Sequence, residues 1–398
     1  MENKFLAEAK ALAPYLEEIY KQIHTHPELG RQEYQTQALI LAELEKMGIP
    51  VITFEDYTGC IAVIEGGKPG GTVLLRADID ALPIQENSGV DFESIHPGVM
   101  HACGHDCHAA MLLGAARMLW EDRANLKGTV KLLFQAAEEV FVGSHYYWDK
   151  GYLNDVDAAM GIHVWPTMDS GYMAIKDGEL MASCDNFKMT IHGVSAHGSM
   201  PHQGKDAIVC ASAIITNLQT IVSRANDPRS TLVVTVGVIK AGTQFNIITD
   251  TAVLEGTVRA YSNECRDLAE NRIRAIAEGT AAMYDCTVDL EYLRLEPPVR
   301  NEDAALNATA RKAARKLYGE DAVREISPVT GSEDFSYIME KIPSSLFMFM
   351  GCRDEETGSV HPVHNEKFRI NENILQRGAA QYAQFAAEWL EEKAGGEA

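Results

Sequence analysis

Basic residues are scarce in this chain. Its 398 residues hold 35 lysines and arginines against 57 aspartates and glutamates, a formal net charge of −22. That balance speaks against nucleic acid and anionic membranes as partners, since both need clustered positive charge. Long apolar runs are missing too: none is expected to reach the roughly 20 residues of a bilayer-spanning helix. The opening stretch, MENKFLAEAKALAPYLEEIY, lacks the basic start and apolar core of a secretory signal, so a cytoplasmic location is expected. The cysteines, at 60, 103, 107, 184, 210, 265, 286 and 352, are too scattered for a disulfide framework, and most read as small buried residues. Gly-x-Ser-x-Gly, Walker and Gly-x-Gly-x-x-Gly patterns are absent, which leaves covalent-serine and nucleotide-dependent chemistry without support.

What is present is an ordinary globular composition, 46% hydrophobic and 23% charged, in a chain long enough for two domains or one with a large insert. Residues 5–48 read as helix, broken at Pro27 and ended at Gly48. Strand-like runs then alternate with helices: GCIAVIEGG, GTVLLRADIDALPI, a helix from about Cys107 to Glu121, KGTVKLLFQAAEE and VDAAMGIHVW. The alternation predicts an α/β domain, a mixed sheet flanked by helices. From Cys184 to Glu296 the order changes to β-α-β-β-α-β, the ferredoxin-like split unit, after which the α/β pattern resumes. The expected organisation is a catalytic domain in two parts, 1–183 and 297–398, interrupted by a ferredoxin-like domain over 184–296.

In open α/β sheets ligands gather beyond the carboxyl ends of the strands. Asp78 and Asp80 follow TVLLRA, Glu138 and Glu139 follow TVKLLFQ, His163 ends AAMGI, and His361 and His364 follow LFMFMG. Cys103 and His105, in MHACGHDCHAAMLLGAA, precede an apolar helix. Taken alone, Cys-x-His reads as a buried thiol beside an exposed imidazole, Glu-Glu as a solvated pair, and His163 as a core histidine. Their convergence on one rim points instead to a metal site with a carboxylate base. Two residues apart on a helix diverge by about 200°, so Cys103 and His105 can share a metal only in turn or extended backbone.

Together the segments RADIDALPI, MHACGHDCHAA, FQAAEE, GIHVWP, AHGSMPHQGKDAI, FNIITDTAVLEGTVR, GSEDFS and HPVHNEKF resemble the M20 metallopeptidases over nearly the whole chain. The likeness is greatest to the amidohydrolase branch of hippurate, N-acyl-amino-acid and auxin-conjugate hydrolases. It implies a Zn-exopeptidase-like catalytic domain and an inserted ferredoxin-like lid that mediates homodimerisation. It further implies two divalent ions per chain held by Cys103, His105, Glu139, His163 and His364, with Glu138 as general base. Cys103 stands where other branches carry a bridging aspartate, and Asp78 matches an aspartate beside the ligands. In the lid, His197 matches a histidine that reaches the partner's active site, and Asn246 and Arg259 match positions near the substrate carboxylate.

The implied reaction is hydrolysis of the amide bond of a small N-acyl-amino acid. A dipeptidase or carboxypeptidase on the same fold is the alternative, and a non-catalytic metal- or ligand-binding protein the competing class. The S/N/O donor set suits zinc, manganese, cobalt or nickel. Two departures stand out: Ala136 replaces a proline common in the family, and Tyr146, Tyr147 and Trp148 add aromatic bulk after the glutamate pair. These aromatics either pack in a helix core or reshape the acyl pocket.

Overall fold

The computed structural model describes residues 3–395, in two compact units. The first runs through Gly178, resumes over Arg300–Ser327 and again from Tyr337; the second is Glu179–Val299 together with Pro328–Ser336.

The first unit is built on a seven-stranded sheet. Its centre is parallel, in the order β4 (Lys127–Gln135), β3 (Lys68–Asp78), β5 (Ala158–Asp169) and β13 (Ser345–Arg353). Antiparallel strands close the edges: β2 (Cys60–Glu65) and β1 (Val51–Ile52) beyond β4, and β6 (Met173–Ala174) beyond β13. Val73, Leu74, Leu75 and Ala77 are wholly buried, as parallel strands covered on both faces must be.

The N-terminal helical region comprises α1 (Lys4–Ala11), α2 (Ala13–Thr25) and α3 (Tyr34–Met47), the last ended by Gly48 in left-handed conformation. Further on come α4 (His105–Asp122), α5 (Gly143–Asp149), α8 (Ala304–Tyr318), α9 (Phe335–Lys341) and α10 (Ile374–Gly395). Helix α4 is buried over nearly its whole length and packs on β3, α2 and α10. Gly114 permits this approach, because a Cβ there would lie 2.9 Å from that of Ala379 and 2.6 Å from Leu16.

The chain passes from β4, on one side of β3, to β5 on the other, so the crevice beside β3 is a topological switch point. Strands β3 and β5 pair only as far as Arg76 and Gly161. Asp78 and His163 each lie just beyond that last pair. Tyr382 of α10 holds the strands where they part: its hydroxyl donates to Arg76 O (2.6 Å) and accepts from Ile162 N (3.1 Å). Strand β5 does not end at His163, as its apolar run suggested, but continues to Asp169 because β13 pairs with it on its other side.

In the second unit, β7 (Cys184–His192), β9 (Leu232–Ala241), β11 (Thr251–Ala260) and β12 (Thr287–Glu296) form an antiparallel sheet ordered β9-β11-β7-β12. With α6 (Ala207–Thr220) and α7 (Asn263–Met283) the chain order is β-α-β-β-α-β, the ferredoxin-like arrangement. Phe187, Met189 and Ile191 pack with Ile214, Leu218 and Ile273 in its core. A short ribbon pairs β8 (Ala196–His197) with β10 (Ile247–Ile248). One helix here reaches a length and apolarity compatible with crossing a membrane, Ala207–Ala225, contrary to the expectation of none. Its residues Ala207, Cys210, Ala211, Ile214 and Leu218 are buried in the second unit, whereas Ile208, Val209 and Val222 on the other face are exposed.

A buried ionic triad fixes α4 against α2. His24 bonds Asp106 Oδ2 through Nδ1 (2.6 Å) and Glu86 Oε1 through Nε2 (2.9 Å). Burial would lower its pKa, but the two carboxylates outweigh it and push His24 up to about 9. A histidine raised in this way stabilises the fold fully below its unfolded pKa of about 6.5, and that contribution is lost as pH rises through about 9. The stability advantage of wild type over His24→Gln should therefore be a few kcal/mol at pH 6 and shrink steadily toward pH 10. Denaturant titrations across that range check it; a constant difference would refute the triad's charge.

Candidate metal centre

Cys103 and His105 flank Gly104, which caps α4 at φ 95°. A Cβ at Gly104 would lie 2.5 Å from Val164, so only glycine lets the chain turn here against β5. The turn places Cys103 before the helix and His105 as its first residue, so both can face one point despite their spacing. His163 arrives from β5 and the glutamate pair from just beyond β4. His364 arrives from the loop after β13, in left-handed backbone (φ 61°), its N–H bonded to Ala102 O at 2.7 Å.

The five side chains meet in two groups that share one thiol. Cys103, His105 and His163 form one group and Cys103, Glu139 and His364 the other, with ligand atoms within 4.8 Å of one another in each. Cys103 Sγ lies 3.3 Å from His163 Nε2, and Glu139 Oε1 lies 3.4 Å from His364 Nε2 and 3.9 Å from His105 Nε2. Glu138 groups with His105 and Glu139 at the same spacing. Cys103, His105 and His163 are buried and the His364 side chain is 51% exposed, so the cluster opens on the His364 side.

Neighbouring residues set which ring nitrogen is available. His105 Nδ1 faces Asp80 Oδ1 (3.2 Å), and His163 Nδ1 donates to Val164 O (2.6 Å), leaving each Nε2 toward the cluster. His108 differs. Its Nδ1 bonds Asp78 Oδ1 (2.6 Å) and its Nε2 accepts from Val164 N (3.0 Å), so it has no lone pair to spare. Asp78 is itself held by Arg76 Nη1 at 2.7 Å and stands 3.6 Å from His105 Nε2.

Electrostatics favour a cation at this point. Burial opposes ionisation of Asp78, yet His105, Arg76 and His108 hold it well below the usual carboxylate range. Burial would also lower His105, but Asp78, Asp80 and Glu139 push it up to about 10. Glu139, despite burial, is kept low by His364 and His105. Burial and the facing His108 keep His163 neutral, well below its ordinary value. His105 Nε2 and Glu139 Oε1 are buried atoms without a hydrogen-bond partner among the described residues. Such atoms are costly unless something satisfies them, and thiolate, imidazole and carboxylate donors are those of a transition-metal site.

Asp80 is the supporting residue whose role was missed from sequence: it accepts from Glu139 N (2.9 Å) while facing the His105 ring, so one carboxylate orients two members of the cluster. Its two-residue spacing from Asp78 at a strand end, which puts both on one face, was the available signal. Of the aromatics after the glutamate pair, Tyr147 packs in the core and Tyr146 packs on a neighbouring ring, while Trp148 is half-buried. Tyr147 is wholly buried and Tyr146 stacks on Tyr57 at 4.1 Å, so Tyr147 is not a pocket wall. In the second unit His197 is exposed on β8, its Nδ1 accepting from Ser199 N (3.1 Å). Asn246 is exposed beside it, its carbonyl accepting from Gly198 N, and Arg259 is half-buried on β11.

Residues 74–388 match the family described as Peptidase family M20/M25/M40. The chain is 41% identical to the N-acetyl-L-cysteine deacetylase of Bacillus subtilis, over 90% of this chain and 84% of that protein. It is 36% identical to thermostable carboxypeptidase 2 of Saccharolobus solfataricus, over 96% and 98% of the two chains. The crystal structure of the Bacillus subtilis YXEP protein, described as a dinuclear metal binding peptidase from the M20 family, superposes with a TM-score of 0.85 at 36% identity, covering 96% and 99% of the chains. The fold, the side-chain cluster around Cys103 and these likenesses agree, and the chain belongs to peptidase family M20/M25/M40 as a metallo-hydrolase of amide bonds.

Proposed function

We propose that the protein hydrolyses the amide bond of small N-acyl-amino acids, with Glu138 as general base. The observation that carries this reading is the pair of ligand groups sharing Cys103, with the Glu138 carboxylate alongside. A merely binding protein has no use for that second glutamate. The likeness to an N-acetyl-L-cysteine deacetylase supports the acyl class.

Cys103, His105 and His163 would hold one divalent cation, and Cys103, Glu139 and His364 a second. When bound, such cations would polarise the scissile carbonyl and acidify an attacking water. Glu138 takes the proton from that water and returns it to the departing amine, so the carboxylate ends the cycle as it began. Asp80 would hold His105 and Glu139 in place, and Asp78 and Asp80 together would keep the site anionic enough to retain cations. His197 would stabilise the oxyanion, and Asn246 and Arg259 would receive the substrate carboxylate, with homodimerisation through the second unit. The exposed apolar residues of that unit, Phe245 (99% exposed), Val209 and Ile208 among them, support an interface there. A carboxypeptidase action is the second reading, favoured by the likeness to the thermostable carboxypeptidase.

Glu138→Gln should lower turnover of N-acetyl- or benzoyl-amino acids by about 10²–10⁴-fold while leaving metal content unchanged. Retained turnover would sink the base assignment. Dipeptides assayed in parallel separate the two readings, since preference for a free amino terminus favours a peptidase. Chelation should abolish activity, and add-back of zinc, manganese, cobalt or nickel singly should restore it with the physiological ion first; activity that survives full metal removal would overturn the metal-dependent scheme.

A further inference from the structure

The turn that presents the glutamate pair is an unusual piece of backbone. After β4 ends at Gln135, Ala137 adopts φ 61°, and Phe141 adopts φ 56°. Left-handed backbone costs a residue with a Cβ about 1–2 kcal/mol, so something must hold Ala137 there.

Side chains from distant segments do so. Glu33, wholly buried just before α3, accepts from Ala137 N through Oε1 at 2.8 Å. Its Oε2 accepts from the Thr58 hydroxyl at 2.5 Å. The Thr58 carbonyl in turn accepts from the Tyr147 hydroxyl (3.1 Å), whose oxygen accepts from Ala136 N (3.1 Å). With Asp80 on Glu139 N, the backbone donors of Ala136, Ala137 and Glu139 are each held by a side chain. The turn also lies against Gly30, where a Cβ would come within 3.3 Å of Ala137 Cα and 3.2 Å of Asp80 Oδ2.

We infer that Glu33 is a positioning residue for the hydrolytic site: by fixing Ala137 in left-handed backbone, it aims Glu138 and Glu139 at one point. This rests on the functional reading above. Adjacent residues in extended backbone point to opposite sides, so a base and a metal ligand in sequence need such a turn to converge. Two polar atoms are required, one to accept from Ala137 N and one to bond the Thr58 hydroxyl, which can donate or accept. Burial pushes the Glu33 carboxyl up to about 7, with Asp80 adding to the effect, so a neutral group is tolerated at this place. An amide can do the same work, its oxygen accepting from Ala137 N and its nitrogen donating to the Thr58 oxygen.

Glu33→Gln, Glu33→Ala and Glu33→Asp test the inference, each assayed with an N-acetyl-amino acid and titrated with Co²⁺ after metal removal. Glu33→Gln should keep kcat within about threefold of wild type, because the hydrogen bonds survive. Glu33→Ala should lose kcat and Co²⁺ affinity by about 10–100-fold, the scale seen when partners of metal ligands are removed, with KM within about twofold. Glu33→Asp, which keeps charge but is one methylene too short to span both partners, should behave like Glu33→Ala and replaces it if the alanine variant does not fold. A folded Glu33→Ala or Glu33→Asp with wild-type kcat and Co²⁺ affinity would overturn the role, as would a Glu33→Gln as impaired as the alanine variant. A wild-type protein that binds Co²⁺ but cleaves no amide would refute the functional reading alone, leaving the positioning role to be read from Co²⁺ affinity.

Discussion

Much of the first unit depends on one repeated contact, an aspartate oxygen on the Nδ1 of a buried histidine. Asp106 meets His24, Asp80 meets His105 and Asp78 meets His108 in this way. In each case burial makes the carboxylate expensive unless it is paired, and the pairing fixes the ring's orientation and tautomer. What happens at the other ring nitrogen then separates structure from chemistry. Glu86 takes His24 Nε2 and Val164 N takes that of His108, so both rings are tied into the fold. His105 Nε2 alone of the three is left without a hydrogen bond, and it faces Cys103, Glu139 and His163.

The sheet supplies the place for this arrangement. Strands β3 and β5 separate after Arg76 and Gly161, and the chain's switch from one side of β3 to the other leaves a crevice there. Helix α4 is driven into the core by its apolar residues, which brings its crowded polar start to that crevice. The burial of the helix fixes Cys103 and His105 in place, since its first turn cannot shift without disturbing contacts to α2, β3 and α10. The Arg76–Asp78 pair, fully buried, compensates part of the negative charge without occupying the ligand point.

The glutamate turn is the complementary half. It is held by Glu33, Tyr147 and Asp80, with Thr58 linking Glu33 to Tyr147. This division suits a site in which one set of ligands is anchored by helix packing and the other by hydrogen bonds to strained backbone. Strain concentrated at Ala137 and His364, both in left-handed backbone, marks the points at which the chain is bent to serve the site.

The sequence by itself determined the residue types, the α/β alternation, the ferredoxin-like insert and the segments that bring Cys103, His105, Glu138, Glu139, His163 and His364 toward one rim. Those features are local: hydrophobic period, turn signals and position relative to strand ends are all written in neighbouring residues. Only the tertiary structure shows what ties up the other polar groups in HACGHDCH, because the partners that occupy His108 and Asp106 come from β3, β5 and α2, far along the chain. It also decided that Tyr147 is a buried hydrogen-bonding residue, that His163 lies within a longer strand, and that Glu33 and Asp80 bond the backbone around the glutamate pair. A hydrogen bond between residues dozens of positions apart leaves no periodicity in either segment, so only the folded chain could reveal it.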